Sequence, residues 1–177
     1  ELGRGGKDLL VVSDDGSGIP KDEIPLALER HATSKLESVG DLERIATLGF
    51  RGEALPSIAS VSRFRILSRA AGEDVGWELQ VEGGRKSALT PKPSPPGTRV
   101  EVSGLFYNTP ARRKFLKTDS TALSQCVDLL GRLALVRPRV GFSLRQGGQA
   151  LLEAPPTDDP IERAAAVLGK AARGNIF

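Results

Sequence analysis

The chain has 177 residues, 39% apolar and 27% charged, with a net charge of +3. That composition can fill a core and excludes a disordered chain, and its basic bias is too mild to argue nucleic-acid binding by itself. A single cysteine, Cys126, and a single histidine, His31, exclude an intrachain disulfide and a Cys/His zinc site by count.

The opening "ELGRGG" reads as the middle of a strand–turn–strand, so the chain is expected to be a piece of a longer one. "KDLLVVS" (7–13) reads as a buried strand that ends in "DDGSG". "PKDEIPLALERHA" (20–32) has a proline and acids at its start, which predicts a helix, begun late or kinked by Pro25. "DLERIATL" (41–48) predicts a short helix capped by Asp41, and "GEALPSIASV" (52–61) another, interrupted by Pro56.

From residue 61 the period changes to two. "VSRFRILSR" alternates around Phe64, Ile66 and Ser68, and "GWELQVEGGRKSALTP" predicts a hairpin turning at Gly83-Gly84. "PKPSPPG" (91–97) reads as a loop and "TRVEVSGL" (98–105) as a strand. "TPARRKFL" (109–116) predicts a helix with Thr109 as N-cap and Pro110 at its first position. "STALSQCVDLLGRLALV" (120–136) is the longest helical pattern, apolar at 123, 127, 130, 133 and 136. In it Cys126 reads as a small core residue. "VGFSLRQGGQALLEA" (140–154) predicts a second hairpin, "PPTDDP" a break, and "IERAAAVLGKAA" (161–172) a last helix. No apolar run is long enough to span a bilayer. Helices first, then antiparallel strands with a helix inserted, predict a layered α+β sandwich: a mixed, mostly antiparallel sheet with helices on one face.

Five stretches could carry chemistry. In "SDDGSGI" a carboxylate ends a buried strand and glycines would let a flat ring approach the backbone; an Asp-capped tight turn has the same signature. "RHATSK" (30–35) suits a phosphate-touching segment or a solvated loop. "LGFRGEAL" (48–55) places two glycines, Phe50 and Arg51 before a helix, where free amides bind phosphate; it is neither a Walker A loop nor a Rossmann fingerprint. "PPGTRVEV" (95–102) puts Thr98 at the start of a strand, within reach of a base, or simply closes a loop. "LFYNTPARRKFL" (105–116) combines the only tyrosine with three consecutive cations, a nucleic-acid signal or a basic solvent face.

Together and in this order, "DDGSGI", "RHATSK", "GFRGEAL", "GT" and "LFYNTPARRKFL" closely resemble the MutL family of DNA mismatch-repair ATPases, within the GHKL superfamily. The resemblance runs from about residue 3 to at least 153 and implies a Bergerat α/β sandwich that holds ATP under a movable lid. It implies that Asp14 reads the adenine amino group, that Gly16 and Gly18 surround the base, and that Thr98 lies beside it. It implies a lid over about residues 32–50, with Thr33, Ser34 and Lys35 near the phosphates. Gly49, Phe50, Arg51, Gly52, Glu53, Ala54 and Leu55 match the turn and helix start that cradle the phosphates. The fifth stretch resembles a structural and interface element.

The resemblance further implies Mg²⁺ with ATP, dimerisation through the ATPase region, the mismatch-recognition protein MutS and DNA as partners, and a cytoplasmic, nucleoid-associated location in a bacterium. It places the ATPase domain, without its first helix, at 1–154, and a linker with the start of a second domain at 155–177. The family's catalytic E-x-x-x-N pattern, with its general-base Glu and Mg²⁺-binding Asn, is absent: Gly104 and Ala171 stand four residues before Asn108 and Asn175, the only asparagines. The expectation is no ATP turnover by these residues alone and weak or no nucleotide binding. The competing expectation is a non-enzymatic module of the same fold that packs with protein or DNA. A topoisomerase subunit is disfavoured by the wording of "GFRGEAL" and "FYNTPARRKF".

Overall fold

The computed structural model describes residues 1–29 and 53–169, which form two compact units. One contains Val11–Lys114; the other joins Glu1–Leu10 to the chain from Phe115 onward. The mixed, mostly antiparallel sheet and its helices bear out the predicted α+β architecture.

In the unit Val11–Lys114 the sheet is built from β2 (Leu9–Asp14), β3 (Arg63–Arg69), β4 (Gly76–Glu82), β5 (Arg85–Lys86), β6 (Thr90–Lys92) and β7 (Gly97–Ser103). Their order is β5-β4-β3-β7-β2, with β6 also on β4. The alternation in "RFRILSR" sets the register. Phe64 faces Val81 and Val102, Ile66 faces Leu79 and Val100, and Ser68 faces Trp77 and Thr98. Phe64, Ile66, Leu79, Val81 and Val102 are thereby buried, while Arg63 and Arg65, between them, are exposed.

Helix α1 (Ala54–Ser60) packs on β3, β4 and the 3-10 turn Leu26–Leu28, with Ala59 buried. Pro56 does not interrupt it: as the third helical residue it lacks an N–H that the first turn would leave unpaired anyway. The helix expected over 20–32 is instead two 3-10 turns, Lys21–Glu23 and Leu26–Leu28, as far as it is described. Pro25 between them cannot donate the bond that would fuse them. Helix 41–48 lies outside the described residues. Part of the expected loop 91–97 is strand: β6 includes Pro91 and, among the described residues, pairs with β4 alone, an edge position that tolerates a proline. The helix expected over 109–116 is only one turn, α2 (Pro110–Arg113), and Thr109 caps it by position without a side-chain bond.

Glu78 is almost fully buried on β4. It accepts from Lys92 Nζ and Gln80 Nε2, both at 2.8 Å, and Arg65 lies at 3.8 Å. Burial pushes its carboxyl upward, but these donors and charges together outweigh burial and hold it below the ordinary range.

In the other unit, β1 (Leu2–Gly3) pairs antiparallel with the first residues of β2 and parallel with β8 (Phe142–Gln146), which forms the expected hairpin with β9 (Gln149–Ala154). Helix α3 (Asp119–Val136) lies on this hairpin. Its N-cap Thr118 accepts from the Thr121 amide. Leu2, Leu144 and Leu152 form the core, with Leu123, Cys126, Val127 and Leu130 of α3 against them. At the start of α3, bonds from Lys7 and Arg4 hold the Asp119 carboxyl below its ordinary range. Helix α4 (Pro160–Leu168), capped by Asp159, packs on α3 and β9. No helix among the described residues is long and apolar enough to cross a membrane.

Candidate functional site

The stretch "DDGSG" begins where β2 runs out. Asp14, its last residue, has an exposed side chain whose position is nevertheless fixed. Its Oδ1 accepts from the Gly16 amide at 3.0 Å and the Thr98 amide at 3.3 Å. Its Oδ2 has no hydrogen-bond donor among the described residues. The strand expected to be buried has only Val11 buried, with Val12, Ser13 and Asp14 exposed; its exposed end, a tight turn and the neighbouring strand present one carboxylate oxygen as an open acceptor in a set direction.

Two glycines make this packing possible. Gly97 has φ +110, and a Cβ there would lie 2.1 Å from the Asp14 carbonyl oxygen. Gly18 has φ +71, and a Cβ there would lie 2.0 Å from the carbonyl oxygen of Arg69, the end of β3. The turn is tied to the same strand end by the Ala71 amide donating to Ser17 O at 2.9 Å. Beneath the turn, Ser68 is fully buried. Its Oγ is in contact with the Ile19 amide at 2.8 Å, Gly97 O at 3.0 Å and Thr98 Oγ1 at 2.9 Å.

Of the residues singled out from sequence, Asp14, Gly16, Gly18 and Thr98 are thus brought together at the joined ends of β2, β3 and β7. Glu53, Ala54 and Leu55 lie at the start of α1. Thr33, Ser34, Lys35, Gly49, Phe50, Arg51 and Gly52 lie outside the described residues. Sequence reasoning missed Ser68, which looks like one more small residue in an alternating strand. It placed Gly97 with Thr98 at the opening of a strand after the proline loop, but gave Gly97 no part in the site. Among the described residues no group of three His, Cys, Asp or Glu gathers to hold a metal ion.

The motif "FYNTP" closes the far end of α1. The Asn108 side chain donates through Nδ2 to Ser60 O at 3.0 Å, and the Phe106 backbone amide donates to Val61 O at 2.7 Å. Arg63 lies over the Tyr107 ring, 4.5 Å from its centroid.

The DNA mismatch repair protein MutL of Thiobacillus denitrificans is 52% identical over 152 residues, covering 86% of this chain and 25% of that protein. The MutL of Acidobacterium capsulatum is 49% identical over 169 residues, covering 96% of this chain and 25% of that protein. This chain belongs to the MutL family. It spans about a quarter of the length of these curated relatives. The solved Aquifex aeolicus MutL ATPase domain complexed with ADP superposes with a TM-score of 0.70 at 34% identity, over 92% of this chain and 57% of that one. The match locates the MutL-family chain in the ATPase region of its relatives. No protein-family model matches the chain.

Proposed function

We propose that this chain supplies the base-binding side of an ATP site, and that in the whole protein the site serves a mismatch-repair ATPase whose nucleotide state gates dimerisation and contacts with MutS and DNA. One observation carries the reading. Asp14 Oδ1 is held by two backbone amides, while Oδ2 is left as an acceptor. An acceptor held this way suits an exocyclic amino group such as adenine's, and loses affinity against a 6-oxo group, which has no hydrogen to give. The relative solved with ADP supports nucleotide as the ligand class.

The described residues fit the base better than the rest of the ligand. Gly16 and Gly18 place no side chain at their own positions in the turn, and Thr98 faces the same strand ends. Glu53, Ala54 and Leu55 at the start of α1, with Gly49, Phe50, Arg51 and Gly52 before it and Thr33, Ser34 and Lys35 in the lid, are assigned to the phosphates. ATP supplies a phosphoanhydride for hydrolysis. Among the described residues no three His, Cys, Asp or Glu gather, so no Mg²⁺ ligand is assigned to them. Neither Asn108 nor Asn175 follows a glutamate at the E-x-x-x-N spacing, so no turnover is assigned to these residues alone, and their contacts to the base are proposed for the whole protein.

The test is calorimetric titration of ADP into the full-length protein and its Asp14→Asn variant. The variant is expected to bind at least about tenfold more weakly, as when a buried charged hydrogen bond is lost. Equal affinities would refute the assignment of Asp14.

A further inference from the structure

We propose that Ser68 is a positioning residue that sets the hydrogen-bonding polarity of the Thr98 hydroxyl toward the base. The inference rests on the nucleotide reading above and adds to it a determinant of base selectivity.

The argument is a proton count. A serine hydroxyl has one hydrogen and two lone pairs. Ser68 Oγ has three neighbours, and two of them have fixed roles. The Ile19 amide at 2.8 Å can only donate, so it occupies one lone pair. The carbonyl oxygen of Gly97 at 3.0 Å can only accept, so it takes the Ser68 proton. The third neighbour is Thr98 Oγ1 at 2.9 Å, where either oxygen could donate in isolation. With the Ser68 proton committed to Gly97, only its second lone pair remains, and Thr98 must donate inward. Ser68 is fully buried, so the alternative, in which Gly97 O loses this bond and Ser68 donates to Thr98, sacrifices a contact that solvent cannot replace there.

The consequence lies on the outward side of Thr98. With its only hydrogen turned toward Ser68, its oxygen offers lone pairs alone. The site then presents two acceptors, Asp14 Oδ2 and Thr98 Oγ1, on residues already joined through the Thr98 amide and Asp14 Oδ1. Two acceptors suit a 6-amino purine, met directly or through a water that donates to Thr98. They disfavour a 6-oxo purine, which would need the Thr98 proton. Ser68 touches no ligand in this scheme; it acts through Thr98, and it also seats the Gly18–Ile19 turn.

The experiment compares ADP with inosine diphosphate by titration in the full-length protein, for wild type, Ser68→Ala, Thr98→Val and the double variant. Wild type is expected to prefer ADP. Ser68→Ala frees the Thr98 hydrogen, and the preference is expected to fall roughly three- to tenfold, the scale of one neutral hydrogen bond. In the Thr98→Val background the same change is expected to leave the preference unaltered, because the residue it acts through is gone. Equal weakening toward both nucleotides by Ser68→Ala, or the same fall in preference with and without Thr98, would overturn the inference and leave the nucleotide reading intact. Wild type that binds neither nucleotide would overturn both. Should Ser68→Ala not fold, Ser68→Gly, which also removes the hydroxyl, carries the same test: a reduced preference supports the proton count and an unchanged one overturns it.

Discussion

Gly97 packs against Asp14 so closely that a single added methyl would lie 2.1 Å from the Asp14 carbonyl oxygen. The contact joins the start of β7 to the end of β2, and it holds the Thr98 amide within 3.3 Å of Asp14 Oδ1. Gly97→Ala meets both this clash and φ +110, which an L side chain rarely adopts. It is expected to destabilise the fold by at least about 2 kcal/mol, with nucleotide binding lost alongside. Urea denaturation followed through the single tryptophan, Trp77, measures the first effect; an unchanged midpoint would mean that the strand ends can separate without harm.

Asp14→Asn should alter which base is preferred as well as how tightly it binds. The amides of Gly16 and Thr98 both require an acceptor at the inner position. The asparagine oxygen is therefore held inward and its NH₂ group is turned outward, so a donor replaces the open acceptor. The variant is expected to bind inosine diphosphate relatively better than ADP, reversing the wild-type order. Competition between the two nucleotides reads this out, and a retained adenine preference would show that Asp14 Oδ2 does not face the base.

Much of this arrangement was legible in the sequence because it depends on short-range rules. The alternation of Phe64, Ile66 and Ser68 set the register of β3, and the glycine pairs at 83–84 and 147–148 marked both hairpins. Asp14, Gly16, Gly18 and Thr98 were readable from motif wording, and they do come together. What escaped depends on tertiary partners. Ser68 gains its role only because Ile19, Gly97 and Thr98 converge on it, and no local pattern announces that. Pro91 reads as a loop residue unless it is known that β6 is an edge strand with one neighbour among the described residues. Thr109 has the residue type and place of an N-cap, yet makes no cap bond.

Glu78 gives a pH dependence with a definite sign. Its folded carboxyl titrates below the ordinary value of 4.5 because the bonds from Lys92 and Gln80 and the charge of Arg65 outweigh burial. The unfolded chain therefore binds this proton first as pH falls. The contribution to stability is full above about 4.5 and is lost as pH falls through the folded value. Glu78→Gln is expected to lower stability at neutral pH and to flatten the acid limb, so the two proteins converge at low pH. Denaturation midpoints measured across the acid range check this; parallel curves would mean that Glu78 contributes packing alone.

Arg163 offers the sharpest stability test. It is 1% exposed, sits on α4, and has no carboxylate partner among the described residues. Its guanidinium instead donates to backbone carbonyls: Ala154 at 2.9 Å, Val140 at 2.8 Å, Pro155 at 2.8 Å, and Pro138. These oxygens lie where β9 ends and in the segment that follows α3, and Pro138 O also accepts from the Thr157 amide. A planar fork with several fixed donors can serve them together, whereas an ammonium at the end of a flexible stem cannot reach all of them. Arg163→Met is expected to cost about 3 kcal/mol, since it removes the donors from one buried and three part-buried carbonyl oxygens at once. Arg163→Lys is expected to recover less than half of that. Hydrogen exchange should localise the loss, with faster exchange in α4 and at Val140 and Thr157, whose amides donate within this same corner, to Arg137 O and Pro138 O. If Arg163→Lys is as stable as the parent, the directional fork is not what holds α4 to β9, and apolar contacts around Ala165 must suffice.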